Sequence, residues 1–203
     1  MRIAWLLGWA VPVEWFSAEA ARALPQAEHV CVPAAPDWRA RLESLPSCDA
    51  LGGYSLGTLL LLGAQGWVAE RWKTVGLLAP IWAFPAEAGR GGRVPRAQLK
   101  ALSRRVRRDP LKACADFREW AGLGAAQGDA GPPETLCWGL EQLDVSSTEP
   151  GLPGGWSAYA GDQDRLLDAR ALAREAPELR VVAGAGHEPA PLLRAWAGEL
   201  APA

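Results

Sequence analysis

The sequence predicts an α/β fold with a mostly parallel sheet of about six strands and helices on both faces. Three observations predict it. Short runs of apolar residues alternate with segments of helical spacing, the runs are apolar along their whole length as strands covered on both faces are, and the residues able to carry chemistry follow the ends of those runs. The 203 residues suffice for one hydrophobic core and one site.

Taken in order, residues 3–7 form an apolar run stopped by Gly8, and Trp15, Ala18, Ala21 and Leu24 then follow helical spacing. A second strand over 29–32 ends at Pro33, and a short helix over 38–45 ends at Pro46. Residues 50–53 end a third strand and run straight into Ser55. The next stretch, 56–64, is apolar on every side, as a helix enclosed by the core is, and Gln65 and Gly66 are expected to end it. A fourth strand over 74–79 closes at Pro80. Between 82 and 153 the strand signal gives way to Arg, Ala, Gly and Pro with helical patches at 98–108 and 111–123, which reads as a helical insertion. Strands at 156–160 and 179–182 and helices at 166–176 and 191–200 complete the pattern. The predicted organisation is a core of 1–81 and 154–203 with a lid of 82–153.

Composition excludes several classes. Half of the residues are apolar and 22% are charged, ordinary proportions for a folded soluble domain. No apolar run reaches the roughly 18 residues of a membrane span, and the apolar N-terminal stretch, interrupted by Gly8 and Pro12, reads as a buried strand and its loop. The formal net charge of −2 does not suggest a nucleic-acid binder. Cys31, Cys48, Cys114 and Cys137 lack metal-site spacing and a disulfide framework, so reduced thiols, a cytoplasmic location and no metal are expected.

Gly53-Tyr54-Ser55-Leu56-Gly57 is a G-x-S-x-G segment between a strand and a helix, where a sharp turn lifts a serine hydroxyl above the sheet. A helix-capping serine is the plainer alternative. A serine hydroxyl needs a base and a group that orients the base. Of the two histidines, His29 opens the second strand and reads as structural or surface, whereas His187 follows the last strand in a Gly-rich loop. The acid belongs between serine and histidine in the chain, just past a strand; Asp164 is the choice, Asp162 the reserve, and Asp168 is expected to be solvated in the next helix. An oxyanion site would draw on the amide of Leu56 and, from the loop after the first strand, the amide of Trp9. Ester hydrolysis by this route needs no cofactor.

Leu7-Gly8-Trp9, Gly53-Tyr54-Ser55-Leu56-Gly57, Gly161-Asp162-Gln163-Asp164 and Gly186-His187 follow the order of landmarks in one family, and the chain resembles the α/β-hydrolases. It looks most like the carboxylesterases that demethylate pimeloyl-acyl carrier protein methyl ester in biotin synthesis. The likeness extends into the insertion, through a proline-aromatic segment at 80–84 and an Asp-Phe-Arg run at 116–118. The resemblance implies Ser55 as nucleophile, Asp164 as acid, His187 as base, and Trp9 and Leu56 as oxyanion donors. Many relatives carry histidine where this chain has Leu7, and this chain is shorter, without the first antiparallel strands of the sheet.

Charge points separately to an acidic partner. Residues 87–118 hold ten Lys or Arg against three Asp or Glu, a local +7. Arg96, Lys100, Arg104 and Arg107 or Arg108 recur near helical spacing, a face suited to an acyl carrier protein. A solvated amphipathic helix is the competing explanation. Of the eleven tryptophans, Trp9 and Trp82 are candidates to line an acyl pocket with Tyr54, the rest being core or lid. The expected activity is that of a serine carboxylesterase. A thioesterase or general short-chain esterase would use the same residues, and a non-catalytic hydrolase-fold protein binding an acidic partner is the alternative from another class.

Overall fold

The computed structural model describes residues 1–124 and 126–200. Strand β1 (Arg2–Leu6) leads to helix α1 (Val13–Ala23), β2 (Glu28–Val32), α2 (Trp38–Glu43) and β3 (Ala50–Tyr54). Helices α3 (Leu56–Gly63) and α4 (Gln65–Ala69) and strand β4 (Val75–Leu78) follow. The connecting segment carries strands β5 (Ala83–Pro85) and β6 (Gly91–Val94) and helices α5 (Arg96–Arg108), α6 (Pro110–Trp120) and α7 (Pro133–Val145). The chain then completes β7 (Trp156–Gly161), α8 (Ala169–Glu175), β8 (Arg180–Val182) and α9 (Pro189–Leu200).

The main sheet has six strands in the order β2-β1-β3-β4-β7-β8, every neighbouring pair parallel. Parallel strands covered on both faces need apolar or small residues throughout, and every residue of β3 and β4 is buried. On one face, Trp5 packs edge-to-face with Phe16 of α1 and Trp196 of α9, at centroid separations of 5.2 and 5.3 Å. Two glycines make room for these indoles. Trp5 pairs with Gly52 and Gly52 with Gly76 across β1, β3 and β4. A methyl group at Gly52 would lie 2.2 Å from the Trp5 ring, and one at Gly76 would lie 2.3 Å from that of Trp196. On the other face, α3 presses Leu61 against Gly53.

The expected fold class and all six main strands are present. Four local expectations are corrected. Gln65 begins α4 instead of merely ending α3. The connecting segment is not purely helical, because β5 and β6 form a short parallel pair; its Gly- and Pro-rich composition hid them. Helix α7 was not anticipated from Pro132-Pro133, although proline suits the first helical turn. Helix α8 starts at Ala169, since Asp168 caps it by accepting from the Arg170 and Ala171 amides at 3.0 and 3.1 Å. Asp168 is therefore a capping residue, and those amide bonds lower its pKa.

His29 is structural. The Trp5 indole donates to His29 Nδ1 at 3.1 Å, and His29 Nε2–H donates to the Leu24 carbonyl at 3.1 Å, which fixes the neutral tautomer. Burial lowers its pKa below the ordinary 6.5. The unfolded chain therefore binds more protons between the lowered folded value and 6.5, so the contribution of His29 is complete above pH 6.5 and is lost as pH falls through the folded value. Thermal melts should show Tm falling more steeply below pH 6.5 in the wild type than in His29→Gln. Parallel profiles would show that the Trp5–His29 bond carries no proton linkage.

Candidate active site

The carboxyl ends of β1, β3 and β4 share a feature. Residues Ala10, Ser55 and Ala79, just beyond those strands, have φ of 57°, 53° and 53°, values that cost a side-chain-bearing residue about 1–3 kcal/mol. Strain therefore gathers at one end of three adjacent strands. Ser55 (ψ −118°) joins β3 to α3, and small neighbours permit the turn: a methyl at Gly57 would stand 2.0 Å from the Leu6 carbonyl oxygen. Thr58 holds the turn from below, its hydroxyl donating to the Ser55 carbonyl at 2.6 Å and accepting the Ile81 amide at 3.0 Å.

The loop after β8 brings His187 to Ser55. Ser55 Oγ donates to His187 Nε2 at 3.0 Å, and His187 Nδ1–H donates to Asp164 Oδ2 at 2.7 Å. The other Asp164 oxygen accepts the amides of Leu166 and Leu167 at 2.8 and 3.1 Å. With Ser55 8%, His187 2% and Asp164 1% exposed, the chain of hydrogen bonds lies in a largely dry setting. Such an arrangement can pass the serine proton to an imidazole whose resulting charge faces a fixed carboxylate. Asp162 is exposed and accepts the Gly184 amide at 2.7 Å, bracing the histidine loop from outside.

The loop after β1 closes over the elbow. A methyl at Gly8 would lie 3.0 Å from Ser55 Cβ, so the residue before Trp9 lies against the elbow. Leu56 is the first residue of α3, and its amide has no partner within the helix. The Trp9 indole donates to the Leu136 carbonyl at 2.7 Å and meets Phe117 edge-to-face at 4.7 Å.

Tyr54 and Trp82 require correction as pocket residues. Both side chains have no accessible surface, so no space large enough for a water molecule touches either. The Tyr54 hydroxyl donates to the His187 carbonyl at 2.7 Å, and burial raises its pKa well above 10. Its work is to hold the histidine. Tyr54→Phe leaves that carbonyl without its donor and should lower unfolding free energy by about 1–3 kcal/mol in urea titrations. The Trp82 indole instead donates to Gly151 at 3.3 Å.

The basic residues of α5 separate into two sets. Lys100, Arg104, Arg107 and Arg108 are exposed along the helix, whereas Arg96 pairs with Asp144 of α7 at 2.9 Å. Lys100, Arg104 and Arg107 form one wall of a groove of about 580 Å³ whose other wall carries Glu134, Glu141 and Asp144. Three residues at the site had no sequence signal as site residues: Thr58, Arg93, whose guanidinium donates to the Asp164 carbonyl at 2.7 Å, and the buried Arg118. Their partners are mostly main-chain carbonyls, which no motif records.

Among the described residues no group of three or more His, Cys, Asp or Glu could hold a metal ion, and no helix is long and apolar enough to cross a membrane. Burial pushes the Cys31 thiol up to about 12 and the Cys114 thiol up to about 11, which keeps both protonated and unreactive at neutral pH.

No protein-family model and no curated protein sequence matches the chain. Solved structures do. A thermophilic, malate-bound esterase from Thermogutta terrifontis superposes with a TM-score of 0.67 at 14% identity, covering 98% of this chain and 89% of the esterase. The chain has the α/β-hydrolase fold. Within that fold, a carboxylesterase of the thaumarchaeon Nitrososphaera gargenis gives 0.66 at 12% identity, covering 98% and 88%. The bottromycin epimerase BotH, in complex with bottromycin A2, gives 0.63 at 20%, covering 98% and 90%. One α/β-hydrolase architecture thus carries esterases and an epimerase, so activity must be argued from side chains.

Proposed function

We propose that the protein is a serine carboxylesterase. The hydrogen-bonded run from Ser55 through His187 to Asp164, at 3.0 and 2.7 Å on a strained strand-to-helix turn, carries the reading. Ser55 Oγ attacks the acyl carbonyl carbon as His187 Nε2 takes its proton, and Asp164 steadies the imidazolium. The carbonyl oxygen, now anionic, is met by the amides of Trp9 and Leu56. Collapse expels the alcohol, which receives the proton from His187; water activated by the same base then releases the acid and restores Ser55.

At finer grain, residues 82–153 act as a lid over the acyl group, and the substrate is the methyl ester of pimeloyl-acyl carrier protein. Lys100, Arg104, Arg107 and Arg108 supply a cationic face for an acidic carrier, with Arg96 at its edge already committed to Asp144. Four unpaired cysteines suit a reducing compartment such as the cytoplasm.

Methyl loss from pimeloyl-acyl carrier protein methyl ester, followed by mass and compared with the free methyl ester and the matching thioester, tests this reading. The expected result is carrier-bound turnover whose kcat/KM falls steeply with salt while free-ester turnover does not. Equal rates on both esters at every salt concentration would remove the carrier; preference for the thioester would make the enzyme a thioesterase.

A further inference from the structure

Arg118, on α6, is 8% exposed, yet all its hydrogen-bonding partners among the described residues are main-chain carbonyls. Its Nε donates to the Ala10 carbonyl at 2.8 Å, Nη1 to Ala126 at 3.1 Å, and Nη1 and Nη2 to Gly128 at 3.3 Å. A buried guanidinium with no carboxylate among its hydrogen-bond partners is costly and persists where its donors fix something. What it fixes is the residue next to Trp9. Ala10 sits at φ 57°, a conformation that its surroundings must impose.

Further contacts tie the same loop to the connecting segment. Trp9 is bonded to Leu136 of α7 and packed on Phe117 of α6. Gly139 of α7 is pressed against both oxyanion residues, since a methyl there would lie 2.7 Å from Trp9 Cδ1 and 3.2 Å from Leu56 Cδ2. The site so braced is a backbone turn, whose amide direction changes with small rotations.

We propose that Arg118 is a positioning residue for the oxyanion site: by holding the Ala10 carbonyl from α6, it keeps the Trp9 amide turned towards Ser55. This rests on the esterase reading above. It makes the segment over the site a working part of the catalytic apparatus as well as its cover, because α6 and α7 must be seated for the anion to be met by two donors.

The test uses the full chain with p-nitrophenyl butyrate, with active sites titrated by a fluorophosphonate so that only competent molecules are counted. Arg118→Lys, which keeps the charge but cannot reach three carbonyls at once, should lower kcat by about 10- to 100-fold with KM within about twofold. Affinity for phenylboronic acid, which forms a tetrahedral anion on serine, should fall by a similar factor. Arg118→Ala should behave likewise and regain part of its kcat in low, non-denaturing guanidinium chloride, which a general folding defect would not do. Wild-type kcat per titrated site in Arg118→Lys overturns the inference, as does a loss of kcat with boronate affinity unchanged. A wild type that neither turns over the ester nor reacts with fluorophosphonate overturns the esterase reading, and this inference with it.

Discussion

Ser55→Ala is expected to reduce ester turnover by about 10⁶-fold, to the residual rate over water that binding and oxyanion contacts alone sustain. His187→Ala should do nearly the same, and the double variant should be little worse than either single one, because nucleophile and base act in one proton transfer. Asp164→Asn should cost about 10⁴-fold: the amide can present an N–H towards His187 Nδ1, which favours the tautomer that can no longer accept the Ser55 proton. Initial rates, with circular dichroism to establish folding, decide the matter. Additive losses across the single and double variants would mean that the three side chains do not work as a unit.

Trp196→Ala should give the largest loss of stability. Its indole is 1% exposed, lies over Gly76 and abuts Trp5, so truncation leaves a void that neighbouring glycines cannot fill. Large-to-small changes of this kind cost about 3–5 kcal/mol, a large share of the 5–15 kcal/mol that holds a domain together. For a chain of this size the corresponding fall in Tm is about 6–20 °C, readable by calorimetry. A shift of only a degree or two would mean that α9 re-docks on the sheet without the indole.

Both predictions involve residues whose places in the fold were differently legible from sequence. Ser55 and His187 were legible as candidates, since a G-x-S-x-G serine at a strand end and a histidine past the last strand lie where the fold brings a hydroxyl and an imidazole to 3.0 Å. Asp164 against Asp162 could not be decided by position, because both follow the same strand; what separates them is burial and the direction each carboxylate faces. Tyr54 was misjudged for a similar reason: adjacency to Ser55 suggests pocket lining, but alternation along β3 and the elbow turn its ring into the core against Phe16 and His187. The main strands were readable because a doubly covered strand is apolar throughout. Strands β5 and β6 were not, since a two-stranded pair in a Gly- and Pro-rich stretch has no periodicity to display. In the sequence Arg118 is the end of the Asp-Phe-Arg run and one cation of a basic segment, and only the packing shows that it points inwards.

The Trp5–Trp196 contact joins β1 to α9, elements far apart in the order of synthesis. The first strand can pair with β2 and β3 soon after they emerge, yet its large indole lacks its α9 partner until β7, β8 and the helix after them have been made. Contacts so distant in sequence form late and slowly. Until α9 is made, the nascent chain exposes apolar strands on the side that α9 will cover, and Ser55 exists before His187 can reach it.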